Sequence, residues 1–374
     1  MLSSMPRPVS NPPNPWASMH VEWLGEPPPA RLEVFEEEAR SVVSENDSPD
    51  VPFRWSVNPY RGCIHGCAYC YARPGHQYLG WGAGTDFDRK IVVKVNAPSV
   101  LARELSRASW RRESITFSGV TDCYQPLEAS YGLTRRCLEV CRAHRTPVAI
   151  ITKGTLIRRD RELLAAMKAE SLASVYISIP FLDDATARRI EPFAAAPSQR
   201  FETLRLLSEA GIPTGIALAP VIPGLNDSEI PRILDRAKAA GANRAFLVLL
   251  RLPAEVRPVF EERLREAFPL RAERVLHAVR DTRAGRWNDP RFGARMEGTG
   301  PRWEAVRGLF DLHCRRLGLN SKEEESESAP NEGGPAPEIA AEPVYQQSTL
   351  FESLAPGAGS ADRKNRSAQR RSKW

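Results

Sequence analysis

The stretch that decides the reading is Asn58-Pro-Tyr-Arg-Gly-Cys63-Ile-His-Gly-Cys67-Ala-Tyr-Cys70-Tyr-Ala-Arg-Pro74. Three thiols stand at C-x3-C-x2-C spacing, in a loop loosened by Gly62 and Gly66 and preceded by a strand-like run at 52–57. Thiolates at this spacing suit a soft metal centre. A four-iron cluster normally takes four of them, and here there are three. An iron without a protein ligand is open to a small molecule. The competing reading is a structural zinc completed by His65 or His76, although zinc usually takes C-x2-C pairs with the second pair well separated.

Around this loop the composition narrows the options. Seven cysteines in 374 residues are too few and too odd in number for a disulfide scaffold, so a reducing compartment with a metal site is the better reading. The longest apolar runs, such as Ala245-Phe-Leu-Val-Leu-Leu250, are too short to cross a bilayer. The amino-terminal MLSSMPRPVSNPPNPW shows no secretory signal, and the expected location is the cytoplasm, with no membrane partner. A net charge of +6 permits nucleic acid as a partner without requiring it.

Between Val51 and Arg251 a rhythm repeats. Short β-branched runs at 114–118, 148–152, 174–179, 214–219 and 245–250 alternate with stretches of helical period, such as Leu163, Leu164 and Met167. Gly211 and Gly241 sit where helices end. Alternation of this kind signals parallel βα units, as an open sheet or as a barrel, with the functional residues just beyond the strands' carboxyl ends. The expected division is 1–50, an irregular extension with one short helix over 31–43; 51–251, the α/β core; 252–319, a helical extension with a Gly/Arg-rich loop; and 320–374, a disordered tail. Within that tail, 322–344 carries seven Glu against one Lys.

The C-x3-C-x-Tyr-C loop resembles that of the radical S-adenosylmethionine (SAM) superfamily. With NPYRGC, HGCAYCYARP and the later Ser118-Gly-Val-Thr-Asp122-Cys-Tyr-Gln, it resembles the spore photoproduct lyase-like branch in particular. The resemblance implies a partial (β/α)6 TIM-like barrel, open on one side. It also implies a [4Fe-4S] cluster on Cys63, Cys67 and Cys70, with SAM on the fourth iron, an electron donor such as flavodoxin or ferredoxin, and radical chemistry on a substrate. By the same resemblance Tyr69 lies against the adenine of SAM, with Tyr71 beside it. Gly119, Thr121 and Asp122 receive its ammonium, Thr152 and Lys153 its carboxylate, and Ser178 faces its ribose. Pro220 and Pro223 stiffen a loop over the adenine. Cys123 corresponds to a hydrogen-donor region and is the candidate catalytic residue, while Cys137, Cys141 and Cys314 read as packing.

A nucleic-acid lesion is the favoured substrate, and a lyase-like DNA-repair reaction the favoured activity. A peptide, tRNA base or metabolite is the alternative for the same chemistry, and a zinc-stabilised binding module the alternative without it. Arg291 and Arg295, in the Gly-rich loop after Trp287, read as phosphate contacts or as salt-bridged lid residues. The tail peptide Gln347-Ser-Thr-Leu350-Phe351 resembles a sliding-clamp docking motif.

Overall fold

The computed structural model describes residues 31–170 and 173–321. Its strands are β1 (Glu33–Glu37), β2 (Val43–Glu45), β3 (Trp55–Val57), β4 (Tyr60–Arg61), β5 (Lys90–Lys94), β6 (Ile115–Phe117), β7 (Val148–Thr152), β8 (Ala173–Ser178), β9 (Thr214–Val221) and β10 (Arg244–Leu249). The principal sheet runs β10-β9-β8-β7-β6-β3-β2. From β3 to β10 every neighbouring pair is parallel, and only β2 runs antiparallel, against β3.

The order decides between the two architectures. A doubly wound sheet reverses direction at a switch point, whereas here each crossover adds the next strand on the same side. Right-handed crossovers then keep the helices on one face and curl the sheet toward a barrel. β10 and β2 are the two ends of this sheet, so six parallel strands form an arc rather than a closed ring.

Both edges are covered by amide or carboxylate side chains standing in for a missing strand. Asn320 donates to Ala245 O at 2.8 Å and accepts from Ala245 N at 2.9 Å, along the free edge of β10. Near the other edge, Glu104 accepts from Val42 N and Val43 N at 3.2 and 3.0 Å. Asn320 is therefore part of the fold, and the expected start of the tail at 320 is corrected to a later residue. The clamp-like peptide lies outside the described residues. No helix among the described residues is long and apolar enough to cross a membrane.

The helices bury the residues that their period marks. Leu133–Ala143 turns Cys137, Leu138 and Cys141 inward, and Arg161–Glu170 turns Leu163, Leu164 and Met167. Gly241 follows Ile230–Ala239 at φ +93°, and a Cβ there would also meet Ser208 Oγ at 2.2 Å, so neither backbone nor space admits another residue. The extension supplies Val256–Ala267, Ala272–Asp281 and Gly300–Leu317. The first two form a second apolar core with Phe181, Ile222 and Leu250, packed against Cys67, Ala68 and Tyr69.

The helix expected over 31–43 is absent. β1 pairs in parallel with β5, placing Glu33 opposite Lys90 and Glu37 opposite Lys94, with β4 on the far side of β5. Pairing with β5 places this glutamate-rich segment in a strand rather than a helix.

Candidate functional site

The cysteine loop follows β3 and β4 at the carboxyl end of the first parallel strand. Asn58 Oδ1 accepts from Val120 N and Thr121 N at 2.9 and 3.3 Å, tying the chain after β3 to the chain after β6. Gly62 turns the loop at φ +78°, where a Cβ would lie 2.9 Å from Phe87 O. Gln125 donates to Gly62 O and accepts from Ile64 N, at 3.1 and 3.0 Å. Fully buried Arg73 donates twice to Cys67 O, at 3.1 and 2.8 Å, and also pairs with Asp88. The loop's backbone is thus held from beneath by side chains, and its three thiols form no disulfide.

Burial raises all three thiols, Cys67 to about 12, so binding a metal means displacing protons. His65 is occupied instead with Asp122, 3.4 Å away, and His76 with Lys90 O at 2.8 Å. Three free thiols without a fourth fit a four-iron cluster that keeps one iron open.

Beside the loop lies a buried charge network. The Tyr69 hydroxyl donates to Glu191, whose carboxylate is also paired with Arg200. Neither charged group reaches solvent. Lys153, just after β7, places Nζ 3.0 Å from Ser178 Oγ, 4.0 Å from Glu191 and 5.6 Å from the centre of the Tyr69 ring. Burial works against the Glu191 carboxylate, but Arg200 and Lys153 outweigh it and hold its pKa below the ordinary value. Tyr69, Lys153 and Ser178 are therefore brought together.

Asp122 stands after β6 beside the cysteine loop, with its carboxylate engaged by the protein. Its Oδ1 accepts from Thr152 Oγ1 at 2.5 Å and Tyr124 N at 2.9 Å, and its Oδ2 accepts from Lys153 N at 2.7 Å and faces His65. The carboxylate's acceptor sites are filled by the protein, in an Asx turn that also pins the end of β7. Burial opposes its ionisation, yet His65, the Lys153 amide and Thr152 hold its pKa well below the usual range. Thr121 Oγ1 donates to Tyr60 O at 3.1 Å, and Gly119 O accepts from the Tyr71 hydroxyl at 2.5 Å. Tyr71 is half-exposed and spans from the cysteine loop to the end of β6.

The expected hydrogen-donor role of Cys123 is corrected, and for Arg291 and Arg295 the second of the two readings, salt-bridged lid residues, is the one found. Cys123 is fully buried in the main hydrophobic core, with Cys137 and Cys141, and presents no sulfur to the mouth. Arg291 is bonded to Asp289, and Arg295 to Asp50 and Ser48, so both are salt-bridged rather than free for phosphate. The Arg295–Asp50 pair also straps the 287–301 loop to the chain ahead of β3, across the side where the barrel is open. Glu191 and Arg200 were missed by sequence reasoning. Their one signal is a pair of charged residues bracketing the short Pro192-Phe-Ala-Ala-Ala-Pro-Ser-Gln segment.

The radical SAM superfamily model matches residues 57–237. A relative from Methanocaldococcus jannaschii, 30% identical over 203 residues, covers 54% of this chain and 72% of its own length. The chain belongs to the radical SAM superfamily. The cofactors of that superfamily are a [4Fe-4S] cluster and SAM, which the cysteine loop fits. An uncharacterised protein of Mycobacterium tuberculosis is 40% identical over 221 residues, 59% of this chain; the match spans 65% of the relative, just under two thirds. A radical SAM Nα-GlyT isomerase of Pseudomonas phage M6 is 26% identical over 233 residues, 61% of this chain and 46% of its own. Among solved structures, a spore photoproduct lyase variant with bound AdoMet and dinucleoside spore photoproduct superposes with a TM-score of 0.54 at 15% identity, over 77% of this chain and 80% of that one. The fold is photoproduct lyase-like.

Proposed function

We propose that this chain is a radical SAM enzyme in which Cys63, Cys67 and Cys70 hold the [4Fe-4S] cluster and a nucleic-acid lesion is the substrate, repaired in a lyase-like reaction. When bound, cluster and SAM together supply one-electron cleavage of SAM and hence hydrogen-atom abstraction from the substrate. The protein's contribution is placement and exclusion of water. Lys153 offers its ammonium to a carboxylate, and Ser178 and Glu191 fix where that ammonium points. Tyr69 is locked at its hydroxyl by Glu191, so its ring is a fixed wall for an aromatic base. Asp122 acts by fixing the backbone of Lys153 and the hydroxyl of Thr152, rather than by meeting the ammonium itself. Gly119 and Thr121 keep the end of β6 open beside the loop, with Tyr71 as its cover.

The observation that carries this reading is the meeting of three disulfide-free thiols, Cys67 and Cys70 within electrostatic reach of Lys153, with Ser178 and Tyr69 at the carboxyl ends of β3, β7 and β8. The lyase-like fold supports the lesion as substrate, and a flavodoxin or ferredoxin in the cytoplasm is the proposed electron source. Anaerobic reconstitution followed by SAM and reductant tests it: 5′-deoxyadenosine is expected, and its formation should rise with a thymine-dimer-type lesion. A fully loaded cluster that leaves SAM intact would refute it.

A further inference from the structure

The guanidiniums in the interior and at the mouth differ in how they are satisfied, and Arg251 among them is only partly buried. Arg73 is closed on Asp88 and Arg200 on Glu191. Arg251, two residues past β10 and so at the same mouth as the cysteine loop, has no carboxylate partner among the described residues. Its one hydrogen-bond contact is to Met296 Sδ at 3.5 Å, a weak acceptor, and its Nε is buried with no partner at all. The nearby Asp50 is already taken by Arg295 and Gly293 N. Its other neighbour, Arg283, donates to Leu250 O and Glu297 O at 2.9 and 2.8 Å, while its own Nε is likewise buried without a partner. Burial, and the charge of Arg295, push the Arg251 pKa down. The Tyr71 phenol lies within electrostatic reach of Arg251, which sets this cation beside the reaction end of the barrel.

A partly buried guanidinium with an empty, buried Nε, among further guanidiniums and one carboxylate already engaged, is incompletely compensated charge. Its planar fork matches the oxygens of a phosphate, and the surplus of positive charge favours phosphate over a singly charged carboxylate. We infer that Arg251 is the centre of an oxyanion subsite on the substrate side of the mouth that takes a phosphate group, with Arg283 and Arg295 supplying the positive surroundings. Calling that phosphate part of the substrate rests on the proposed function; the subsite itself does not.

The test uses cluster-loaded full-length protein without reductant or SAM, so that binding is read apart from turnover. Inorganic phosphate, thymidine 5′-monophosphate, the dinucleotide dTpT and, as control, acetate are titrated at constant ionic strength, with melting temperature and 31P line width as readouts. Phosphate-bearing probes are expected to bind and acetate is not; preference for dTpT assigns a phosphodiester, preference for the monoester a phosphorylated small molecule. Arg251→Met should weaken binding about ten- to a hundredfold, while melting no lower than the parent in chloride, because it removes an incompletely compensated charge. Arg251→Lys keeps the charge without the fork and should fall between; it carries the test if the Met variant does not fold. Equal phosphate affinity in parent and variants, or no phosphate binding by the parent, would overturn the inference. Phosphate binding in a protein that fails to cleave SAM would instead refute the radical reading alone.

Discussion

The two sides of the barrel mouth are built on opposite principles. On the side of β7 and β8, every buried charge has its counter-charge in the protein: Lys153, Glu191 and Arg200 close on one another, and Asp122 is filled by four donors. On the side of β10, partly buried Arg251 lies against a thioether and near other cations. The first arrangement is preorganised, so its groups need no reorganisation when a polar ligand arrives. The second is incomplete within the chain. A mouth that is finished on one side and unfinished on the other is suited to a resident cofactor and a visiting substrate.

The sharpest way to break this contrast is at the cysteines. Cys63→Ala, Cys67→Ala and Cys70→Ala should each abolish cluster assembly, whereas Cys137→Ala and Cys141→Ala, in the core, should keep full iron and sulfide content. Next in size, Glu191→Ala should destabilise the fold by about 3–5 kcal/mol in denaturant melts, since it strands Arg200 in the interior. Arg251→Met should cost nothing in the same melts. If both variants lose comparable stability, the two sides are not built differently.

A smaller effect is expected at Lys153→Ala. The cluster should form, and SAM affinity should fall by about one to two decades, the loss of one charge-assisted contact. The acid dependence of Glu191 should be smaller still. Its pKa is depressed in the folded state, so its contribution is complete above the ordinary glutamate value, about 4.3. That contribution is then lost as pH falls through the lower folded value. Glu191→Gln should flatten acid melts of the metal-free chain in that range; an unchanged profile would mean that Arg200 does not hold the carboxylate ionised.

What the sequence revealed was what is local. Cysteine spacing, β-branched runs and strand-end residues such as Lys153 and Ser178 are short patterns, and each stands where its pattern indicates. Contacts between distant segments stayed hidden. Tyr69 meets Glu191 across 122 residues, and Arg295 meets Asp50 across 245. β1 pairs with β5, more than fifty residues on, a partner that no reading of 31–43 alone supplies. Asp122 and Cys123 show the same limit in reverse. Both sit in the right loop, but the fold turns the carboxylate onto four protein donors and the thiol into the core.

The central claim is that three thiols and a prebuilt charged wall form one cofactor site. Electron paramagnetic resonance of the anaerobically reconstituted, dithionite-reduced protein, recorded with and without SAM, addresses it most directly. The account predicts a [4Fe-4S]+ signal whose shape changes on adding SAM, is absent in Cys63→Ala, Cys67→Ala and Cys70→Ala, and in Lys153→Ala changes only at higher SAM concentration. A signal indifferent to SAM in the parent protein, or a four-iron cluster assembled without those cysteines, would contradict it.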